Sequence, residues 1–317
     1  MGDGRRTRFL KHNPQSKPFL TIEEQISLLE SRGVAFNDKD AAAKFLLTYN
    51  YYSVVNGYKD AFLDEDKTNQ HIEVYREGTS FDQIMSLYYF DRALRRITLG
   101  MLLDAEETMR TAVVYAFCEQ NRDHDDYLDP ASYCTSREYR SKKDYSKNLI
   151  RLLYTLQGIS ENRQHKRSIG HYIKKYRSVP LWVLSRCITF GSMSAFYDLQ
   201  KLKVKQRTCG YLADTTGNQI SPNQLRQAYK VLSQFRNICA HEERLYCATV
   251  GKNGDMRMRE LVELLNLVST KEDTAAYTEQ VIGILGLMRK PSMPIEIVND
   301  VTEKMGMDEA YLRSLAS

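Results

Sequence analysis

At 317 residues the chain is long enough for one large domain or two modest ones and can bury a substantial core. Its 45 Lys and Arg against 40 Asp and Glu leave a formal charge of +5, which argues for nucleic acid only where the cations cluster. No apolar run approaches the roughly 20 residues that span a bilayer, no signal-peptide pattern is visible, and Arg6 stands where a myristoylation signal carries Ser or Thr; a cytoplasmic protein with no membrane partner is expected.

Residues 1–17 are basic, polar and aperiodic, the pattern of a mobile tail in which Arg5 or Arg6 and His12 have no helix to pair them. Thr21 and Glu24 form a capping box ahead of Ile22, Ile26 and Leu29, and Gly33 ends that helix. A second helix starts at Asp38 or Asp40 and carries Ala42, Phe45, Leu46 and Tyr49. The stretch 50–62 holds Tyr51, Tyr52, Tyr58 and Phe62, which read as core more readily than as a base-stacking platform. After a polar loop at 64–79, Thr79 or Ser80 opens a helix to Leu102, with Gly100 as its weak point and with Asp91, Arg92, Arg95 and Arg96 expected to pair on its polar face. Residues 103–120 read as its antiparallel partner, and 121–130 as an acidic, turn-rich break.

From 137 to 177 the charge is lopsided, with twelve basic residues against three acids. Lys142, Lys143, Lys147, Arg151, Lys166, Arg167, Lys174 and Lys175 are the candidate RNA contacts, interleaved with Tyr139, Tyr145, Tyr154, Tyr172, Tyr176, His165 and His171. Cations for phosphates and aromatic faces for unstacked bases are what single-stranded RNA requires; a solvated helix face is the competing reading. Residues 180–197 read as one apolar helix with Trp182 in the core, which Phe190-Gly191-Ser192 either bends or opens to a close neighbour, 201–207 as a second basic run and 208–220 as a loop. Beyond Gly251, residues 256–267 and 275–288 form a helical pair, Pro291 and Pro294 break the pattern, and a small acidic helical tail follows.

The stretch the chain is organised around lies between these, at 221–247. Ser221 caps a helix with Pro222 at its first position, and Leu225, Tyr229, Leu232, Phe235, Ile238 and Cys239 form its apolar stripe. Beside that stripe stand Arg236, Asn237 and His241, followed by Glu242, Glu243 and Arg244. At about 100° per residue Asn237 and His241 share a face, while Arg236 lies about 140° from His241 and reaches it only through its length or a helix break. A near-neutral imidazole, an orienting amide and a permanent cation suit phosphodiester cleavage; a structural ion pair and a packed histidine are the plainer reading.

Six cysteines are scattered without Cys-x2-Cys or matched His spacing, so neither zinc nor a disulfide framework is indicated. Gly and Pro are scarce and alternating runs nearly absent, which gives an all-α fold. A Gly-rich phosphate loop, a Ser/His/Asp order and a His-Glu-x-x-His motif are missing, and no cofactor or metal is expected.

The run Arg236-Asn237-Ile238-Cys239-Ala240-His241 resembles the Arg-x4–6-His motif of HEPN-domain ribonucleases. Asn50-Tyr51-Tyr52-Ser53-Val54-Val55-Asn56-Gly57-Tyr58, Tyr89-Phe90-Asp91-Arg92-Ala93-Leu94-Arg95 and Pro180-Leu181-Trp182-Val183 with Phe190-Gly191-Ser192-Met193-Ser194 resemble, in order, the motifs of the Abi_2 (AbiD/AbiF-like) abortive-infection family over roughly residues 18–290. One departure is Ser185-Arg186, where relatives often carry a Glu. The resemblance implies a HEPN-type helical bundle with additional N- and C-terminal helices: 18–80, a core at 81–250, and 251–317. It implies that 103–120 packs on the motif helix, so that Glu106 or Arg110 either reaches the site or pairs structurally. It implies a metal-independent endoribonuclease in phage defence, with Arg236, Asn237 and His241 as the catalytic set and Glu242, Glu243 and Arg244 in a secondary rank. Each chain offers one credible His where cleavage needs an acid and a base, so a homodimer is implied. The alternatives are a non-cleaving protein in complex with a small noncoding RNA, and an antitoxin-like HEPN protein dependent on a second protein.

Overall fold

The computed structural model describes residues 19–68, 72–162, 167–289 and 292–308, with 310, 311 and 314. The tail at 1–17, and Arg163, His165, Lys166 and Pro291, lie outside the described residues. Those described form helices and isolated β-bridges, with no sheet among them, as expected of an all-α chain. None of the described helices is long and apolar enough to cross a membrane. Backbone contacts divide the chain into two compact units, Met1–Tyr88 and Tyr89–Ser317.

In the first unit, α1 (Ile22–Ser31) opens on the Thr21–Glu24 capping box, Thr21 N–H donating to Glu24 Oε2 at 2.8 Å and Glu24 N–H to Thr21 Oγ1 at 3.3 Å. Asp38 caps α2 (Lys39–Tyr49), its Oδ1 accepting from Ala41 N–H at 2.9 Å. A wide π turn, Tyr52–Asn56, then brings Tyr58 and Phe62 into the core, with the Tyr58 ring 5.6 Å from that of Tyr88. Tyr52 points outward.

Three sequence expectations fail along the next stretch, each for a local reason. Residues 103–120 are not a separate helix: α3 runs unbroken over Phe81–Gln120. Leu94, Thr98, Leu102, Ala105, Met109, Ala112, Val113 and Ala116 continue one buried stripe past Gly100, and no proline interrupts it. After α4 (Lys142–Glu161) and α5 (Arg167–Tyr176), the apolar stretch at 180–197 divides into α6 (Leu181–Leu184), a 3₁₀ turn at Ser185–Cys187 and α7 (Phe190–Asp198). Ile188 and Thr189 are extended, and Thr189 caps α7 by accepting from Ser192 N–H at 3.2 Å, so the break precedes Gly191. In so short a helix as α6, Leu181 and Leu184 take the inward positions and Trp182 is left 52% exposed rather than in the core.

The region read as a loop at 208–220 is mostly α8 (Leu202–Thr216), which buries Val204, Thr208, Cys209, Leu212 and Thr216 at helical spacing and stops at Gly217, φ 75°. Threonine-rich and apolar-poor, its pattern hides the period until the buried threonines are seen to return their hydroxyls to the preceding turn. Next comes α9 (Pro222–Ala240), starting at a Ser221–Gln224 capping box with Pro222 in its first turn. α9 packs against α7, α8 and α10 (Met258–Val268), and Tyr229 Oη donates to Met109 O of α3 at 2.6 Å. Two further helices, α11 (Lys271–Met288) and α12 (Ile295–Lys304), follow.

Candidate functional site

α9 delivers Arg236, Asn237 and His241 to its final turns and leaves them in two different surroundings. Asn237 and His241 are exposed on one face, while Arg236, on the flank the helical period assigns it, is half-buried. His241 is the C-cap residue, its N–H donating to Asn237 O at 2.9 Å. The chain reverses at Glu242, φ 58°, and Glu243 N–H returns to Ile238 O at 3.1 Å, a closure usually built on glycine. Holding a side chain in this left-handed conformation costs about 1 kcal/mol or more.

The turn is secured from beneath. Asp91 of α3 is fully buried, and its carboxylate accepts from Leu245 N–H at 3.1 Å and Tyr246 N–H at 2.8 Å while pairing with Arg95. Asp91 and Arg95 are thus an internal clamp rather than a pair on a polar face. The physical reason is that the backbone at 245–246 leaves the helix and is buried, so its amides need an acceptor from elsewhere.

Arg236 is tied to α3 separately. Its Nε lies 3.5 Å from Oε2 of the buried Glu106, whose other oxygen takes Arg110; Arg110 also donates to Glu107 Oε2 at 3.0 Å. Arg186 joins through Glu107 Oε1 at 3.8 Å. Glu106 therefore does both things weighed for it, pairing with Arg110 and facing the motif arginine, and an acid from α3 stands near Arg236 where Ser185-Arg186 supplies none. Neither Arg236 Nε nor Glu106 Oε2 has a hydrogen-bond partner among the described residues. Their attraction is Coulombic and carries no directional constraint. Cys239, between these groups on α9, takes no part in proton transfer near neutrality, because burial pushes its thiol up to about 12.

A groove of about 910 Å³ opens between α4, α7 and the first half of α9. Arg140, Arg151, Arg226 and Lys230 line it, with Asp198 as the one acid among its lining residues. Sequence reasoning found Arg151 and passed over Arg226 and Lys230, which sit far along the chain from the basic stretch. The signal was available: Asn223, Gln227, Lys230, Gln234, Asn237 and His241 recur at steps of three and four, a polar stripe along α9 that ends at the motif.

Residues 44–247 match the model of a family described as Abi-like protein. The chain belongs to that family. No curated protein matches it, and no solved structure does. The matched span of this Abi-like chain runs through α9 and the turn after His241, and it contains Asp91, Glu106 and the groove.

The other predicted residues of the Abi-like chain separate by surroundings. Glu242, Glu243 and Arg244 are exposed, as are Lys142, Lys143 and Lys147 on α4 and Lys174 and Lys175 on α5. Lys175 Nζ stands 4.9 Å from the centre of the Tyr176 ring. Lys166 and the side chain of Arg167 lie outside the described residues. Two interleaved tyrosines are committed inward, Tyr139 Oη donating to Asp198 Oδ2 at 3.0 Å and Tyr145 Oη to Cys134 O at 2.6 Å, whereas Tyr154 and Tyr176 are exposed.

Proposed function

We propose that this chain is a HEPN-type, metal-independent endoribonuclease acting in abortive infection. The observation that carries the proposal is the exposed His241 at the capped end of α9, with Asn237 one turn before it and Arg236 on the adjoining flank. A substrate 2′-OH attacks the adjacent phosphorus, an imidazole takes its proton, and the bond from phosphorus to the 5′-oxygen breaks as that oxygen receives a proton from a second imidazole. The products are a 2′,3′-cyclic phosphate and a 5′-OH. Arg236 stabilises the charge on the phosphorane-like transition state, and Asn237 orients the ring or holds phosphate. Two imidazoles come from two copies of the chain, so the working species is a homodimer with a shared cleft.

End-group analysis of RNA incubated with the protein tests this reading. Cyclic phosphate ends are expected from the wild type, with cleavage reduced by about a hundredfold or more in His241→Ala and in Arg236→Ala. Undiminished cleavage in both variants removes the assignment. A second reading, a non-cleaving protein bound to a small noncoding RNA, draws on one feature: Arg236 has its Nε turned toward Glu106. Copurifying RNA that stays intact on incubation decides for it.

A further inference from the structure

We propose that the groove between α4, α7 and the first half of α9 is a binding channel for single-stranded RNA, in which Arg140, Arg151, Arg226 and Lys230 hold consecutive phosphates and lead the strand along α9 toward Asn237 and His241. The assignment rests on RNA being what this chain acts upon, which both readings above share.

Charge is the first support. Asp198, the single acid in the lining, is already taken by Tyr139 at 3.0 Å and by Arg140 Nε at 3.3 Å. Among the described residues, Arg151, Arg226 and Lys230 have no carboxylate within ion-pair distance. Lys205 beside the groove donates its Nζ to Asp198 O at 2.7 Å, and its pKa is lowered chiefly by burial, with Asp198 opposing that shift and the charges of Arg226 and Arg140 adding smaller shares to it. Cations gathered in a concave site repel one another and raise the local potential, a cost to the fold that a polyanion offsets when it binds.

Chemistry and shape are the second support. Pockets for drug-like ligands are lined mainly by apolar and aromatic side chains, whereas here polar and apolar surface are nearly balanced, with Tyr139, Leu152, Ala195 and Leu199 set among amides, hydroxyls and cations. The first turn of α9 borders the groove through Asn223 and Gln224 and presents the positive end of its dipole, while α7 lies along the groove from Gly191 to Asp198 with both of its ends bordering it. Ser194 and Asn223 add neutral groups able to meet sugar or phosphate oxygens.

Direction is the third. Lys230 to His241 is about 16 Å along a helix at 1.5 Å per residue, and the polar stripe between them, Gln234 and Asn237, faces the same way. Gln234 is fixed in that stripe by donating to Lys230 O at 2.9 Å and accepting from Gly251 N–H at 3.2 Å. A strand seated on the cations of the groove therefore runs over the stripe to the imidazole.

Binding of a fluorescein-labelled single-stranded RNA about ten nucleotides long, followed by anisotropy across a salt series, tests the channel apart from cleavage if every variant is made in the full-length His241→Ala protein. Arg226→Ala combined with Lys230→Ala should weaken binding at least about tenfold and lower the salt slope by about 1.4, roughly 0.7 for each phosphate of a single strand that no longer meets a cation. Arg151→Ala, on the opposite wall, should lower the slope by about 0.7, and Lys271→Ala, on α11, should change neither quantity. An unaltered slope in the double variant overturns the channel, as does an equal loss in Lys271→Ala, or tighter binding of poly-glutamate than of RNA. Loss of binding in the groove variants together with intact wild-type RNA ends would keep the channel and remove the ribonuclease. Groove variants that bind as the parent does while the wild type cleaves would do the reverse.

Discussion

Two sets of polar residues meet at the end of α9, and they differ in what they have left to give. Beneath the helix, Asp91, Arg95, Glu106 and Arg110 are buried or nearly so, and their charges are matched inside the protein. On its outer face Asn237 and His241 are exposed. The residue types overlap, yet only the second set has surface to offer a substrate. Arg236 stands between them, half-exposed, with its Nε turned toward the buried Glu106. Buried charge sets where the turn after the helix runs, and exposed charge is what that turn presents.

The sharpest way to break the comparison is at Asp91. Asp91→Ala leaves the amides of Leu245 and Tyr246 without their acceptor and Arg95 as a buried charge without its carboxylate. A loss of about 3–5 kcal/mol is expected from removing one partner of a buried pair, measured as a shift in the urea unfolding midpoint. A shift no larger than that of a surface substitution would mean that the clamp does not hold the turn. Asp91→Asn keeps one acceptor oxygen and should fall between the two.

Glu106 sharpens the comparison with a smaller effect. Glu106→Gln keeps the shape but removes the charge that Arg110 and Arg236 both face, and about 1–3 kcal/mol of stability should go with it. If Glu106 positions Arg236, kcat for RNA cleavage should fall while the RNA affinity of the His241→Ala background stays unchanged. Equal kcat in the wild type and the variant would make Glu106 a purely structural residue.

Sequence alone went far here because the motif helix announces itself. Ser221, Pro222 and the stripe from Leu225 to Cys239 specify α9 locally, and the spacing of Arg236 and His241 already separated their faces. What it missed required partners distant in the chain. Asp91 reads as one more charge on a helix until the backbone at 245–246 is seen to need an acceptor, and Arg226 and Lys230 read as isolated cations until α4 and α7 close around them. The error at Gly100 has the opposite cause. A single glycine weakens a helix by only about 1 kcal/mol, less than the buried stripe that continues on either side of it provides.

A third kind of pair sets the lower end of the scale. Glu119 of α3 and Arg207 of α8 are matched to each other, as Asp91 and Arg95 are, but at the surface, with Arg207 Nε 2.8 Å from Glu119 Oε2. Hydrogen bonds, first from Arg207 and then from Tyr211, hold the Glu119 carboxyl down at about 2. A carboxyl depressed in the folded state adds stability that is complete above its unfolded pKa and is lost as pH falls through the folded value, so this contribution should fade between about pH 4 and pH 2 and be constant near neutrality. Arg207→Ala should leave the unfolding midpoint at pH 7 nearly unmoved, because solvent screens an exposed pair. It should also raise the Glu119 titration, followed by NMR, toward the ordinary carboxylate range, with Tyr211 still holding part of the shift. An unfolding shift at pH 7 comparable to that of Asp91→Ala would show that commitment to a partner, rather than burial, sets the energetic weight of these charges, and the division drawn at the end of α9 would have to be redrawn on that basis.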